Sequence, residues 1–424
     1  MNRFKIIFFL LVIPCMAMSA YSEKADPSVS PGLDSIKPHD VYDYCKTMTL
    51  PKFAGRLTGH NGYTAAAKWA AAKFEQWGLM PLSQKEGYLQ TYPSPHTIID
   101  EAEMVLISPK EDTEAKLTPE KEFLPLLFSD SGNNSAEMVF AGWGISAPEL
   151  GYDDYAGLDV QGKFVLCFRG TPDRTKSGFQ KHDHHRFRMN RAKEKGALGL
   201  FYIYPAPLAN PNGDWIQGFT PAIISEGVAN KILEEKGIKS QDLKKELQVN
   251  KKPTSFPLKS RMNYQVLSTH FSDSQGYNVV GYVEGSDPRL KKECLVIGGH
   301  FDHCGEHMGM IFPGANDNAS GSAVVMEIAE ELKQILQDAD SSIKILKGVS
   351  VVRSVGVRSS DYAPFFQKGA SCISFFSNGP HLHYHLTGDT IYRINPDIMA
   401  DIARLAFLSG YTWANQANPP RPQQ

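Results

Sequence analysis

One histidine and two aspartates stand close together in the C-terminal half of the chain. His300, Asp302 and Asp317 belong to residues 300–320, which read HFDHCGEHMGMIFPGANDNAS. Imidazole nitrogens and carboxylate oxygens are the usual non-thiolate ligands of zinc, and a carboxylate between two ions can bridge them. The residue types and their spacing therefore indicate half of a two-metal hydrolase site.

A second group of histidines lies near the C-terminus. His381, His383 and His385 alternate along the sequence GPHLHYH, and Gly388-Asp389-Thr390 closes the segment. In an extended segment all three side chains would face one side, so alternation alone does not choose between them. One of these histidines is a candidate for the remaining metal ligand.

The segments around His300 and Asp317 have the pattern of a strand and a helix start. The apolar run 294–297 is typical of a buried parallel strand, so we expect His300 and Asp302 at its carboxyl end, where open α/β sheets keep their sites. Asp317 stands just before Asn318 and Ser320, which are good N-cap residues, and an apolar stripe at helical spacing follows. Asp317 is thus predicted in a loop that enters a helix.

Taken together, these segments resemble the co-catalytic dizinc aminopeptidases, whose superfamily includes glutamate carboxypeptidase, transferrin receptor and glutaminyl cyclase. The resemblance covers nearly the whole mature chain. It is carried by GRLTG at 55–59, HFDH at 300–303, GANDNASG at 314–321, SDYAPF at 360–365, and Tyr384-His385 with Asp389-Thr390.

The resemblance implies a role for each matching residue. His300 would bind one zinc ion, Asp302 would orient that ligand, Asp317 would bridge the ions, and His385 would bind the second zinc. The implied activity is the removal of amino-terminal residues from peptides by metal-activated water, with two zinc ions as cofactors. The implied partner is a peptide with a free amino terminus.

One part of the family pattern is missing. The family has a Glu-Glu pair, a general base followed by a zinc ligand, and then an Asp ligand, but residues 333–360 contain no Glu. The sequence looks as if a segment near 340–358 were deleted. A positioned general base alone contributes about 10²–10⁴ in rate, and Glu306 is the nearby acid that would have to replace it.

Two function classes follow. The first is a secreted zinc aminopeptidase with an impaired site. The alternative is a catalytically inactive relative with a binding or structural role, or the product of an internally deleted gene. We expect His303 and His307 to be loop residues beside the site rather than ligands. Cys304 also lies beside the predicted ligands, and its soft thiolate could bind zinc.

Composition is that of an exported globular protein. With 424 residues, 42% hydrophobic residues and a formal charge of −2, the chain can form two domains, and nothing favours binding to nucleic acid. The resemblance implies an α/β fold with a mixed, largely parallel sheet flanked by helices. We expect this zinc-peptidase-like domain at 21–115 and 272–424, with a β-rich protease-associated domain inserted at 116–271.

The amino terminus has the pattern of a removable signal peptide at 1–20. Two basic residues precede an apolar run, and AMSA at 17–20 offers a cleavage site, so we expect a periplasmic or extracellular protein. The run is too short for a stable membrane span, which needs about 20 residues. Lipidation at Cys15 is an alternative. Cleavage leaves five cysteines, and Cys167, Cys294 and Cys372 are predicted to be buried in strands.

Overall fold

The computed structural model describes residues 30–85, 87–109, 113–173, 177–211, 214–285, 288–289, 293–335, 361–368, 370, 372–375 and 381–414. The predicted signal peptide, Cys15 and the segment 340–358 lie outside these residues. Among the described helices, none is long and apolar enough to cross a membrane.

The N-terminal part of the described chain is helical. It contains α1 (Ser30–Ser35), α2 (Pro38–Met48), a 3₁₀ turn (Pro51–Arg56) and α3 (Asn61–Gln76), followed by the short strands β1 (Met80–Pro81) and β2 (Leu89–Pro93). Pro38 occupies the first turn of α2, where its fixed φ suits a helix and its missing N–H costs nothing.

An eight-stranded sheet forms the middle of the chain, and its strands all lie between residues 96 and 271. The strands and helices of this part are β3 (His96–Ser108), β4 (Thr113–Lys116), β5 (Phe123–Pro125), β6 (Gly132–Ala141), β7 (Ser146–Ala147), β8 (Tyr152–Asp153), β9 (Phe164–Phe168), α4 (His185–Glu194), β10 (Gly199–Tyr204), β11 (Ala222–Ser225), α5 (Glu226–Leu233), α6 (Ser240–Asn250) and β12 (Ser255–Phe271).

The sheet is mixed. Its order is β4-β3-β12-β6-β9-β10-β11-β5; β6, β9, β10 and β11 pair in parallel, and the remaining neighbours are antiparallel. Strand β9 is buried along its whole length, with Phe164, Leu166 and Phe168 packed on one face and Val165 and Cys167 on the other. Helices α5 and α6 cover the first face and α4 the second. The predicted α/β class, with a mixed sheet flanked by helices, is confirmed. The expectation of a largely parallel sheet is wrong for this sheet, because four of its seven strand pairings are antiparallel.

The C-terminal part returns to the N-terminal helices. It contains β13 (Gln275–Val279), β14 (Gly281–Tyr282), β15 (Gly305–His307), β16 (Met310–Phe312), α7 (Ser320–Ile335), α8 (Ala363–Gln367) and α9 (Pro396–Ala414). Helices α1, α2, α7 and α9 share one apolar core. Strand β3 begins before the domain boundary predicted at 116 and pairs with β12, whose last residue is Phe271. The assignment of the middle part to a protease-associated domain stays a prediction.

The strand predicted at 294–297 is wrong for the described structure. These residues form no strand, and the side chains of Leu295 and Val296 are 42% and 60% exposed. A strand needs a hydrogen-bonded neighbour, and no strand of the described residues pairs with this segment. Cys294 and Cys372, predicted to be buried, are exposed and half-buried, whereas Cys167 is buried as predicted.

Arg56 joins three parts of the chain at the end of the 3₁₀ turn. Its buried guanidinium donates hydrogen bonds of 2.8 to 2.9 Å to the carbonyl oxygens of Met48, Phe301, Pro313 and Gly314. Its own carbonyl accepts the N–H of His303 at 3.0 Å. Burial lowers the pKa of Arg56 to about 10, so the group stays charged at neutral pH. Arg56 therefore fixes both loops that carry His300 and Asp317.

Gly55 permits this close packing. Its φ is +63°, and a Cβ atom there would lie 2.3 Å from the carbonyl oxygen of Gly305 and 2.5 Å from that of Phe312. Only a residue without a side chain fits against the β15–β16 hairpin at this point.

We expect Arg56→Met to lower the free energy of unfolding by at least about 3 kcal/mol, because it leaves several buried carbonyl groups without a donor. Arg56→Lys should lose less, since an ammonium group keeps the charge and some of the bonds. Arg261→Met is the matched control, because Arg261 is an exposed side chain on β12. Urea unfolding measures all three, and equal stability of Arg56→Met and Arg261→Met would contradict the prediction.

Candidate metal centre

Asp317 lies in a single π turn, Ala315–Ala319, directly before α7. The buried carboxylate of Asp389 holds this turn, because Oδ1 accepts the N–H of Asn316 at 2.8 Å and Oδ2 accepts the N–H of Asp317 at 3.0 Å. Asn318 Oδ1 accepts the N–H of Gly321 at 3.1 Å at the start of the helix. The predicted loop that enters a helix is thus confirmed.

Three imidazoles surround the Asp317 carboxylate. His300 Nε2 lies 3.1 Å from Oδ1, while His385 Nε2 lies 2.9 Å and His303 Nδ1 3.7 Å from Oδ2. The structure thus brings His300, Asp317 and His385 together from three separate segments. The two oxygens face different histidines, which is the arrangement that a bridging carboxylate requires.

Asp302 lies behind His300. Its Oδ1 is 3.4 Å from His300 Nδ1, and its Oδ2 accepts a hydrogen bond of 3.1 Å from the Thr58 hydroxyl. The two ring nitrogens of His300 therefore face two carboxylates. Burial alone would lower the pKa of His300, but Asp302 and Asp317 raise it to about 10. In the metal-free protein His300 is an imidazolium, and its positive charge takes the place that a metal ion would fill.

The Asp317 carboxylate is stabilised in its charged form. Burial would raise its pKa, but contacts with His300 and His385 outweigh burial and lower the pKa well below the usual value. His303 behaves in the opposite way, since burial lowers its pKa to about 3 and Asp317 only partly opposes this. His303 is therefore a neutral imidazole with a free lone pair, the form that binds metals.

His385 is oriented by the middle part of the chain. Its Nδ1 donates to the carbonyl oxygen of Ala209 at 2.8 Å, and its own carbonyl accepts the N–H of Ala209 at 3.1 Å. Two residues further on, Thr387 donates its N–H and its hydroxyl to the Glu120 carboxylate at 2.7 and 2.8 Å. With Nδ1 engaged, Nε2 is directed at Asp317, a pattern common for histidines that bind metals.

The other C-terminal histidines do not approach Asp317. The segment 382–385 forms turns rather than the extended chain that alternation required. His381 Nε2 lies 3.4 Å from Asp389 Oδ2, and the ring of His383 packs near Gly388. The structure therefore selects His385 from the three candidates.

Glu306, the acid considered as a substitute base, lies in β15. Glu306 acts on His60. Burial lowers the pKa of His60, and the negative charge of Glu306 partly opposes this shift. Asp361 is closer to the ligands: its Oδ2 accepts the backbone N–H of His300 at 2.7 Å. We assigned Asp361 no individual role from the sequence, although it lies within the SDYAPF segment that contributes to the resemblance.

His303 was expected to be a loop residue beside the site, and Cys304 was considered as a thiolate ligand of zinc; both lie in the centre. Among the described residues, His303, Cys304 and His385 form a group whose potential ligand atoms all lie within 4.8 Å of one another. Burial raises the pKa of the Cys304 thiol well above its usual value. The position of His303-Cys304 directly after Asp302 was the available signal in the sequence, but adjacency alone does not show which way a side chain points.

The residues present fit a metal ion. Two donors about 2.0–2.2 Å from a tetrahedral zinc ion lie about 3.3–3.6 Å apart, and the His300–Asp317 and His385–Asp317 distances of 3.1 and 2.9 Å are close to this. Within the described part of the chain, the buried Nε2 of His303 has no hydrogen-bond partner, as expected for a nitrogen in a site that a cation completes. The donor set combines imidazole, carboxylate and thiol, all of which zinc accepts.

An α/β fold with such a donor set at a helix start is typical of metal-dependent hydrolases. Residues 278–349, which include His300 and Asp317, match the family model Peptidase family M28. This match supports the resemblance to the zinc aminopeptidases that the sequence predicted. A comparison with curated proteins finds no match.

Several solved structures have a similar fold. An aminopeptidase from Aneurinibacillus sp. strain AM-1 is 16% identical, with a TM-score of 0.59 over 92% of this chain and 99% of that one. A peptidase M28 precursor from Shewanella amazonensis SB2B is 16% identical, with a TM-score of 0.54 over 93% and 98%. BSAP, a zinc aminopeptidase from Bacillus subtilis, is 14% identical, with a TM-score of 0.50 over 89% and 95%. At these identities the likeness shows the fold.

The raised pKa of His300 predicts a pH dependence in metal-free protein. Because the pKa rises from 6.5 to about 10 on folding, protonated His300 stabilises the fold fully below pH 6.5, and this contribution is lost as the pH rises towards 10. The variant His300→Gln lacks this stabilising contribution. With a chelator present, we expect the difference in Tm between wild type and His300→Gln to be largest below pH 6.5 and to shrink towards pH 10.

The control for this prediction is His39→Gln, because the His39 side chain is 74% exposed and lies on α2. Its Tm should follow that of the wild type over the whole range. A difference between wild type and His300→Gln that does not change with pH would contradict the prediction.

Proposed function

We propose that this chain is an exported zinc peptidase of the M28 family whose substrate is a peptide with a free amino terminus. The observation that carries the proposal is the Asp317 carboxylate between His300 at Oδ1 and His385 at Oδ2. A metal ion at this carboxylate would supply Lewis acidity, which polarises a peptide carbonyl group. Export rests on the basic and apolar pattern of residues 1–20.

The residues around the carboxylate have distinct tasks in this proposal. His300, Asp317 and His385 hold the metal, and Asp302 fixes the ring of His300 from its Nδ1 side. Asp389 holds the backbone of the turn that carries Asp317, so the carboxylate is positioned before a metal binds. Orientation by such partners is typically worth 10–100-fold in metal affinity.

The site lacks the general base that the family pattern places beside the metal ions. Residues 333–360 contain no Glu, and the family's Glu-Glu pair and following Asp are absent from the sequence. This observation favours a second candidate function, an inactive relative that keeps the fold for binding. The two candidates differ in turnover, so one preparation distinguishes them.

The experiment is elemental analysis of zinc-dialysed protein, combined with aminoacyl-nitroanilide hydrolysis on the same sample. Bound zinc with chelator-sensitive hydrolysis supports the peptidase. Protein without hydrolysis above the buffer rate supports the inactive relative, and protein without bound zinc refutes the metal site and with it the peptidase.

We expect Asp317→Asn to lower zinc affinity by at least about 10²-fold, because the amide loses the negative charge that two metal positions share. Any nitroanilide hydrolysis should fall with it. Asp397→Asn is the matched control, since Asp397 is an exposed carboxylate in the first turn of α9. Isothermal titration with zinc measures both variants, and unchanged affinity in Asp317→Asn would exclude the bridge.

A further inference from the structure

Cys304 and His303 form a second donor pair beside Asp317, on the side of His385. One ring nitrogen from each of His303 and His385 and the Cys304 sulfur lie within 4.8 Å of one another. Ligands of a tetrahedral zinc ion, at bond lengths of about 2.0–2.3 Å, lie about 3.3–3.8 Å apart. Small inward movements of these side chains would therefore enclose an ion.

The His303 ring is fixed by packing, and one of its nitrogens makes no hydrogen bond to a described residue. Its side chain is 1% exposed, and the backbone of Gly314 packs so tightly against the ring that a Cβ atom there would be 2.3 Å from Cγ. Among the residues that the structure describes, none is a hydrogen-bond partner for the buried Nε2 atom, which is unfavourable in a protein interior. The ring is thus fixed, and its other nitrogen, Nδ1, faces Asp317 Oδ2 at 3.7 Å.

Cys304 lies in apolar surroundings. It is fully buried and packs with Ala209, Met310 and Phe312. A thiol with imidazoles and an apolar wall is a soft donor set, which selects zinc and related thiophilic ions over magnesium or calcium. Asp317 Oδ2 completes the set, since it lies 2.9 Å from His385 Nε2 and 3.7 Å from His303 Nδ1.

We propose that His303, Cys304 and His385, together with Asp317, bind one thiophilic divalent ion. The thiolate and the second imidazole would replace the carboxylate ligands that the sequence lacks at this position. The proposal deepens the proposed function and rests on it, because His385 and Asp317 belong to both. Four protein ligands close a tetrahedral site, and closed sites hold structural zinc.

The test uses cobalt as a spectroscopic probe for zinc. Metal-free full-length protein is titrated with Co²⁺, and the near-ultraviolet absorption is recorded, where a thiolate bound to cobalt gives a charge-transfer band. We expect this band to saturate at one equivalent and to disappear in Cys304→Ser. In His303→Asn, cobalt affinity should fall by at least about 10–100-fold, the loss caused by removing even an indirect partner of a metal ligand.

Cys294→Ser is the matched control, because Cys294 is an exposed thiol outside the group. It should keep the full band. Far-ultraviolet circular dichroism of each metal-free variant checks that it is folded, and Cys304→Ala takes the place of Cys304→Ser if the serine variant does not fold.

The outcomes separate this proposal from the proposed function. Cobalt that binds without a thiolate band, and is lost in Asp317→Asn, overturns the thiolate site and leaves the peptidase site standing. A band that vanishes in Cys294→Ser also overturns the thiolate site. A Cys304-dependent band in protein without nitroanilide hydrolysis supports the thiolate site and refutes the peptidase activity. Protein that binds no cobalt overturns both.

Discussion

The buried guanidinium of Arg56 is the constraint on which the site depends. It donates to carbonyl groups from α2, from the loop after His300 and from the loop before Asp317. Neither loop pairs with a described strand of the large sheet. The guanidinium of Arg56, which has several donors in a rigid plane, holds both loops instead. The two metal-binding segments are thereby placed relative to each other by one side chain outside the centre.

Charge balance explains the arrangement around Asp317. A half-buried carboxylate next to Asp302 and Asp389 would be costly without cations, and in the metal-free protein His300 supplies one as an imidazolium. His303 stays neutral because burial dominates over the attraction of Asp317. Metal binding would therefore exchange a proton on His300 for a metal ion, and occupancy at His300 should depend on pH more strongly than occupancy at His303.

N-cap residues and an apolar stripe predicted the loop and the helix at Asp317, and short motifs predicted the resemblance to a family. Each of these patterns extends over only a few residues. Sequence could not choose His385 over its neighbours without the resemblance, since the turn at 382–385 depends on contacts with Ala209. The strand predicted at 294–297 failed because strand formation is settled by partners distant in sequence. The roles of Arg56 and His303 were missed for the same reason, since both arise from packing between segments.

The contact between His385 and Ala209 couples the centre to the eight-stranded sheet. Thr387 and Glu120 add a second link between the same two parts. Any ion held through His385 therefore favours the docked arrangement of the sheet, and by reciprocity a docked sheet raises the affinity for the ion. The middle of the chain therefore contributes to the affinity for the ion through the orientation of His385, although it supplies no ligand itself.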